Sequence, residues 1–153
     1  VGIKWPNDLV TDAGKLGGIL IELRSEAGGP LHLIVGIGIN VALGNAVRQD
    51  IAALGNQAAD LLDLANGVDR NALAAALVAE GSAGLDEFVR SGFGSFAAEF
   101  DAADRLAGRE VVTEGAQACQ GRALGIDADG ALRIQTAHGV ERILSGDVSV
   151  RTP

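Results

Sequence analysis

Apolar and polar positions change period several times along this chain. Residues 1–5 read as an apolar, extended segment, and Pro6 keeps Trp5 out of helical dihedrals, so a strand stops there. Asn7-Asp8 can bond their own backbone as an Asx turn, after which 9–11 resume extension. Asp12-Ala13-Gly14-Lys15 is a turn whose glycine accepts positive φ, which puts Lys15 where a hairpin re-enters its sheet. Leu16-Gly17-Gly18-Ile19-Leu20-Ile21-Glu22-Leu23 is β-rich, and its paired glycines permit close approach to bare backbone. A loop by composition covers 25–30. The near-continuous apolarity of 31–41 then predicts a central strand covered on both faces.

Glycines and asparagines interrupt the apolar runs of 42–67, which reads as a loop with short helical turns. Asp69 is an N-cap for a helix to about Val89, with Leu73, Leu77, Leu85 and Phe88 on one side and Gly81 and Gly84 weakening its middle. Gly92-Phe93-Gly94 breaks it. A second helical spacing follows over 96–106, with Phe96, Phe100, Ala103 and Leu106 as its buried stripe.

Past Ala107-Gly108 the period shortens to that of strands, over 109–114, 118–126, 131–136, 140–144 and 148–151, joined by Asp129-Gly130, His138-Gly139 and Ser145-Gly146 turns. Short strands packed so closely predict a small closed barrel that needs a neighbour for stability. The expected architecture is α+β, with a barrel following a body of strands and helices.

Composition narrows the function classes. The chain has 153 residues, a formal charge of −8 and a pI near 4.6, which argues against a nucleic-acid partner held by general electrostatics. Cys119 is the single cysteine, with no CxxC or His-rich cluster, and a reducing cytoplasm is the simplest setting. Neither a leader nor a membrane-spanning run is legible. The chain has no Met, and Val1-Gly2-Ile3 begins inside a strand pattern, which reads as part of a longer protein.

Candidate chemistry concentrates near the start. Lys15 is either an ordinary solvated lysine at a strand end or a point charge aimed at an oxygen that gains charge in a transition state. Asn7 and Asp8 are turn residues or contacts for Mg²⁺ and nucleotide. Gly36-Ile37-Gly38 fails as a dinucleotide fingerprint because Val41 stands where the third glycine belongs, and no GxxxxGK[ST] occurs. His32 and His138 have no serine or cysteine placed beside them to form a nucleophile and base.

Joined in order, Lys4-Trp5-Pro6-Asn7-Asp8-Leu9, Lys15-Leu16-Gly17-Gly18-Ile19-Leu20-Ile21-Glu22 and Val35-Gly36-Ile37-Gly38-Ile39-Asn40-Val41 resemble the biotin protein ligase family. The similarity continues through 96–111 and through Gly125-Ile126-Asp127 with Gly130-Ala131-Leu132, so it covers essentially the whole chain.

The resemblance implies a mixed, largely antiparallel sheet with helices, related to class II aminoacyl-tRNA synthetases, over 1–106, then an SH3-like barrel over 107–153. It implies ATP-dependent ligation of biotin, through biotinyl-5′-AMP and with Mg²⁺, to a lysine of a biotin carboxyl carrier protein. Lys15 matches the family lysine on biotin's carboxylate and the α-phosphate, and Asn7 and Asp8 match positions near the triphosphate and metal. Gly17, Gly18, Gly36 and Gly38 match strands lining the biotin slot, Ile19 and Ile37 its apolar wall, and Asn40 a position near the adenine. A strand edge would serve a homodimer, and no membrane or nucleic-acid role follows for this portion. The family's glycine- and arginine-rich loop would lie before Val1, Phe100 stands where some members carry Trp, and Leu124 where some carry Arg. The alternatives are a lipoate- or octanoyl-transferring relative and a catalytically inert binding fragment.

Overall fold

A computed structural model describes residues 1–25, 29–115, 117–146 and 148–150. It divides into two compact units, one of Val1 and 7–68, the other of 2–6 and 69–153.

In the first unit β2 (Asp8–Thr11), β3 (Gly14–Ser25) and β4 (Leu31–Ile39) run antiparallel, and β3 pairs with β4 from Ser25 opposite Leu31 to Gly17 opposite Ile39. The tip of that hairpin, 26–28, lies outside the described residues, as does the expected strand end at Arg151. The expectation of a covered central strand is overturned. β4 is an edge strand in the described sheet, and Leu31, Leu33, Ile34, Val35 and Ile37 are all exposed. Its composition suits two covered faces, but the described residues supply no layer over either.

In the segment expected to be a loop with short helical turns, a 3-10 turn does form at Leu61–Asp63, but nine residues before it make a fuller helix, α1 (Asn45–Ala53). No side chain caps the N-terminus of α1 at Gly44, so the usual start signal is missing from the sequence.

The second unit contains α2 (Arg70–Ser91), whose Asp69 N-cap accepts hydrogen bonds from the N–H groups of Asn71 and Ala72 as its sequence predicts. Leu73 and Leu77 are half-buried, whereas Leu85 and Phe88 are exposed, so the expected stripe is covered only towards the N-terminus. The next helix is shorter than expected. A 3-10 turn at Phe93–Phe96 leads into α3 (Ala97–Ala103), and Asp104 then turns extended, its carboxylate accepting from Leu106 N–H at 2.7 Å. Leu106 is buried, beyond the helix rather than on it.

Five antiparallel strands follow: β5 (Glu110–Thr113), β6 (Gln120–Ile126), β7 (Leu132–Thr136), β8 (Gly139–Ile143) and β9 (Val148–Val150), in the order β8-β7-β6-β5-β9. Among the described residues the ladder does not close into the expected barrel. The three residues of β9 pair with β5, and none pairs with β8. Val111, Ala123, Leu132, Ile134 and Ile143 form its core with Trp5 and Leu106, and Phe100, Cys119 and Ile126 pack against it. β1 (Gly2–Lys4) joins this unit through Ile3, whose carbonyl accepts from Arg105 N–H at 2.9 Å. After it the cis Trp5-Pro6 peptide leaves the buried indole donating to Gly130 O at 2.9 Å.

Candidate active site

The site is built by an irregularity in β3. Leu9 stands opposite Gly17 but Val10 opposite Lys15, so Leu16 is an extra residue on one strand, a β-bulge. Strict alternation would send Lys15 and Gly18 to opposite faces. The extra residue brings them together, and a Cβ placed on Gly18 would lie 3.6 Å from Lys15 Cε and 3.4 Å from Asp8 Oδ1. Lys15 Nζ is ion-paired with Asp8 Oδ1 over that bare glycine, its side chain 53% exposed against 21% for Asp8. Asp8 opposes Gly18, Gly18 opposes Gly38 and Leu20 opposes Gly36, so Asp8, Lys15 and three glycines share one open face.

The other residues singled out from the sequence take different positions. Ile19 and Ile37 oppose each other on the reverse face of the same strands. Gly17 serves the sheet itself, because a Cβ there would meet Gly38 O at 2.2 Å. Asn7 brackets Ile19, donating from Nδ2 to its carbonyl at 2.8 Å and accepting from its N–H at 2.9 Å. Asn40 donates from Nδ2 to Lys15 O at 3.2 Å and to Ala59 O at 3.1 Å, which makes its amide a brace between segments. Lys4 belongs to the second unit.

A polar cluster escaped the sequence reading. Asp60, 2% exposed, accepts from Leu43 N–H at 2.6 Å, from Asp63 N–H at 3.2 Å and from Arg48 at 2.7 Å. The Leu43 N–H, then the Asp63 N–H and the Arg48 guanidinium, hold its carboxyl below the ordinary carboxylate value against the opposing pull of burial. Arg48 also reaches both oxygens of Asp63, at 2.9 and 3.1 Å, and its guanidinium is raised above its usual value, most by that bond. The available signal was Asp60-Leu61-Leu62-Asp63, an acidic pair at capping-box spacing.

In the second unit, a hollow of about 930 Å³ is lined by Glu110, Cys119, Arg122, Gln135, His138 and Glu141 among others. Arg142 forms ion pairs with Asp127 and Asp129, the first of which holds the Asp127 carboxyl low. Among the described residues no group of three His, Cys, Asp or Glu side chains could hold a metal ion, and no helix is long and apolar enough to cross a membrane.

An ammonium over bare strand backbone, beside a carboxylate and open to a ligand, is an arrangement suited to anionic acyl and phosphoryl oxygens. Comparison with known proteins gives the chain its class. Residues 1–40 match the biotin/lipoate A/B protein ligase family and 108–151 match the biotin protein ligase C-terminal domain. The bifunctional ligase/repressor BirA of Escherichia coli is 33% identical over 99% of this chain and 47% of its own length, and the biotin–[acetyl-CoA-carboxylase] ligase of Mycobacterium tuberculosis is 32% identical over 96% and 52%. The apo biotin protein ligase of Aquifex aeolicus superposes with a TM-score of 0.82 at 30% identity over 98% of this chain and 65% of that one; its complex with biotin and ATP gives 0.80 at 28%, over 99% and 62%. The chain belongs to the biotin protein ligase family. It spans about half the length of the curated relatives it matches.

Proposed function

We propose that this chain forms part of an enzyme that joins biotin to a lysine of a carboxyl carrier protein, with Lys15 as the group that stabilises the first transition state. The observation that carries the reading is the Lys15–Asp8 pair set over Gly18 by the bulge. In the first step a biotin carboxylate oxygen bonds to the α-phosphorus of ATP while the bond from that phosphorus to the bridging oxygen breaks, and pyrophosphate leaves. In the second, the carrier's lysine amine attacks the acyl carbon of the mixed anhydride, AMP leaves and the amine gives up a proton.

Two anions must meet in the first step. A partly exposed ion pair such as Lys15–Asp8 is worth only about 0–1 kcal/mol, so the ammonium can exchange Asp8 for phosphoryl and carboxylate oxygens at little cost. Held there, it offsets their repulsion and stabilises the charge that builds on phosphorus. Gly18, Gly36 and Gly38 leave the strand backbone open to the ligand on the same face. Asn7, Gly17 and Asn40 support that face through the backbone, and Ile19 and Ile37 form the apolar side of the hairpin behind it. Mg²⁺ enters on the nucleotide as part of the substrate, beside Asp8.

Within this reading, 1–106 is the C-terminal portion of a catalytic domain of the class II synthetase type and 107–153 an SH3-like C-terminal domain, a division supported by the family match that begins at residue 108. The protein works in the cytoplasm on a carboxylase acceptor, and the β4 edge is available to a second copy. The test is biotin-dependent exchange of radiolabelled pyrophosphate into ATP by the complete protein. Lys15→Ala is expected to lower the rate about 10²- to 10³-fold; a near-wild-type rate removes Lys15 from its role, and exchange driven by lipoate instead of biotin reassigns the substrate.

A further inference from the structure

The backbone of Lys15 is held by a segment far along the chain. Its N–H donates to Gln57 O and its carbonyl accepts from Ala59 N–H, both at 2.9 Å, so 57–59 lies parallel to β3 at the point where the ammonium is presented. The fit admits no slack: Gly14 has φ +133° there, and a Cβ on it would meet the Gln57 carbonyl carbon at 2.4 Å. Residues 57–59 belong to no strand of the sheet, so something else must hold them.

Besides the Asn40 amide, which reaches Ala59 O, that something is the arginine–aspartate cluster. Arg48 donates one guanidinium nitrogen to Ala58 O at 3.2 Å and spends another on Asp60 and Asp63. Asp60, adjacent to the buried Ala59, is tied in turn to Leu43 N–H at 2.6 Å, and Leu61 N–H donates to Asn40 O at 2.9 Å. We propose that Arg48, Asp60 and Asp63 are positioning residues for the adenylation step: a clamp that fixes 57–61 and, through it, the backbone from which Lys15 reaches the reacting anions. The proposal rests on the reading of Lys15 given above. None of the three need touch substrate. Their effect is transmitted through the main chain, and a buried carboxylate with three donors is costly to leave half-satisfied, which makes the clamp stiff.

Two measurements test it separately from the ligase reading. In the 153-residue chain, Asp60→Asn is expected to speed amide hydrogen exchange at Lys15 and Ala59 by about tenfold or more, with amides of β6 and β7 unchanged. Unchanged protection at Lys15 would overturn the clamp whatever the enzyme does. In the complete protein, Asp60→Asn is expected to lower kcat for pyrophosphate exchange about tenfold with little change in KM for biotin, and to cost nothing further in a Lys15→Ala background. An equal loss in both backgrounds means Asp60 acts independently of Lys15 and sinks the proposal. If Lys15→Ala alone is silent, the ligase role of Lys15 fails while the exchange result still decides the clamp. Should Asp60→Asn unfold the first unit, the more exposed Asp63→Asn takes its place, with a smaller rise in Lys15 exchange expected and no rise counting against the clamp.

Discussion

The β3–β4 hairpin and the β6–β7 pair are both antiparallel ladders rich in aliphatic side chains, yet their surroundings are opposite. In β6 and β7, Ala123, Leu132 and Ile134 are fully buried, whereas Ile21 and Leu23 of β3 and Leu31 of β4 are more than half exposed. The C-terminal sheet draws its cover from Trp5, distant in sequence, and from Phe100 and Leu106 shortly before β5, all in the same unit. The hairpin is held instead by its backbone ladder, by the Gly17–Gly38 approach and by polar ties around Asp60. Period and apolarity thus establish that a face wants cover. They do not say whether the same stretch of chain provides it.

The comparison can be broken from either side. The largest effect is expected in the buried sheet: Ile134→Ala should destabilise the second unit by about 2–5 kcal/mol, read by urea unfolding with Trp5, the chain's one tryptophan, as the reporter. An unmoved midpoint would mean that the core contributes no more than the open hairpin. In the hairpin, the vulnerable position is backbone rather than bulk. Gly17→Ala forces a Cβ against Gly38 O and should cost about 1–3 kcal/mol, seen as lost amide protection along β3 and β4 with Trp5 unaffected. Smallest of all, Leu23→Ser should shift stability by no more than about 0.5 kcal/mol, and a loss of several kcal/mol by the same exchange measurement would reveal cover on that face.

Much of the fold was legible where local chemistry and tertiary context agree. Asp69 caps α2 as its side chain dictates, and turns at Asp129-Gly130 and His138-Gly139 separate the C-terminal strands as written. α1 was read only as a short helical turn because Gly44 gives no capping side chain and no residue of the helix is buried, so it carries neither an edge nor a stripe. α3 was drawn too long because Leu106 continues the helical spacing, although Asp104 is extended. At the candidate site, Lys15, Asp8 and Gly18 could be named from the resemblance of their motifs. The bulge at Leu16 could not, since an extra strand residue has no compositional mark. Arg48 was silent for a related reason, and the spacing of Asp60 to Asp63 signalled only a local cap, because the pairing of Arg48 with Asp60 is long-range.

The extra residue at Leu16 also governs how this chain should be compared with distant relatives. A lysine and a glycine separated by two positions are informative only if one of those positions is the inserted one. A homologue that kept every motif letter but paired these strands without the bulge would turn its amine to the far side of the sheet, whereas one shortened by the inserted residue would keep amine and glycine on one face by plain alternation.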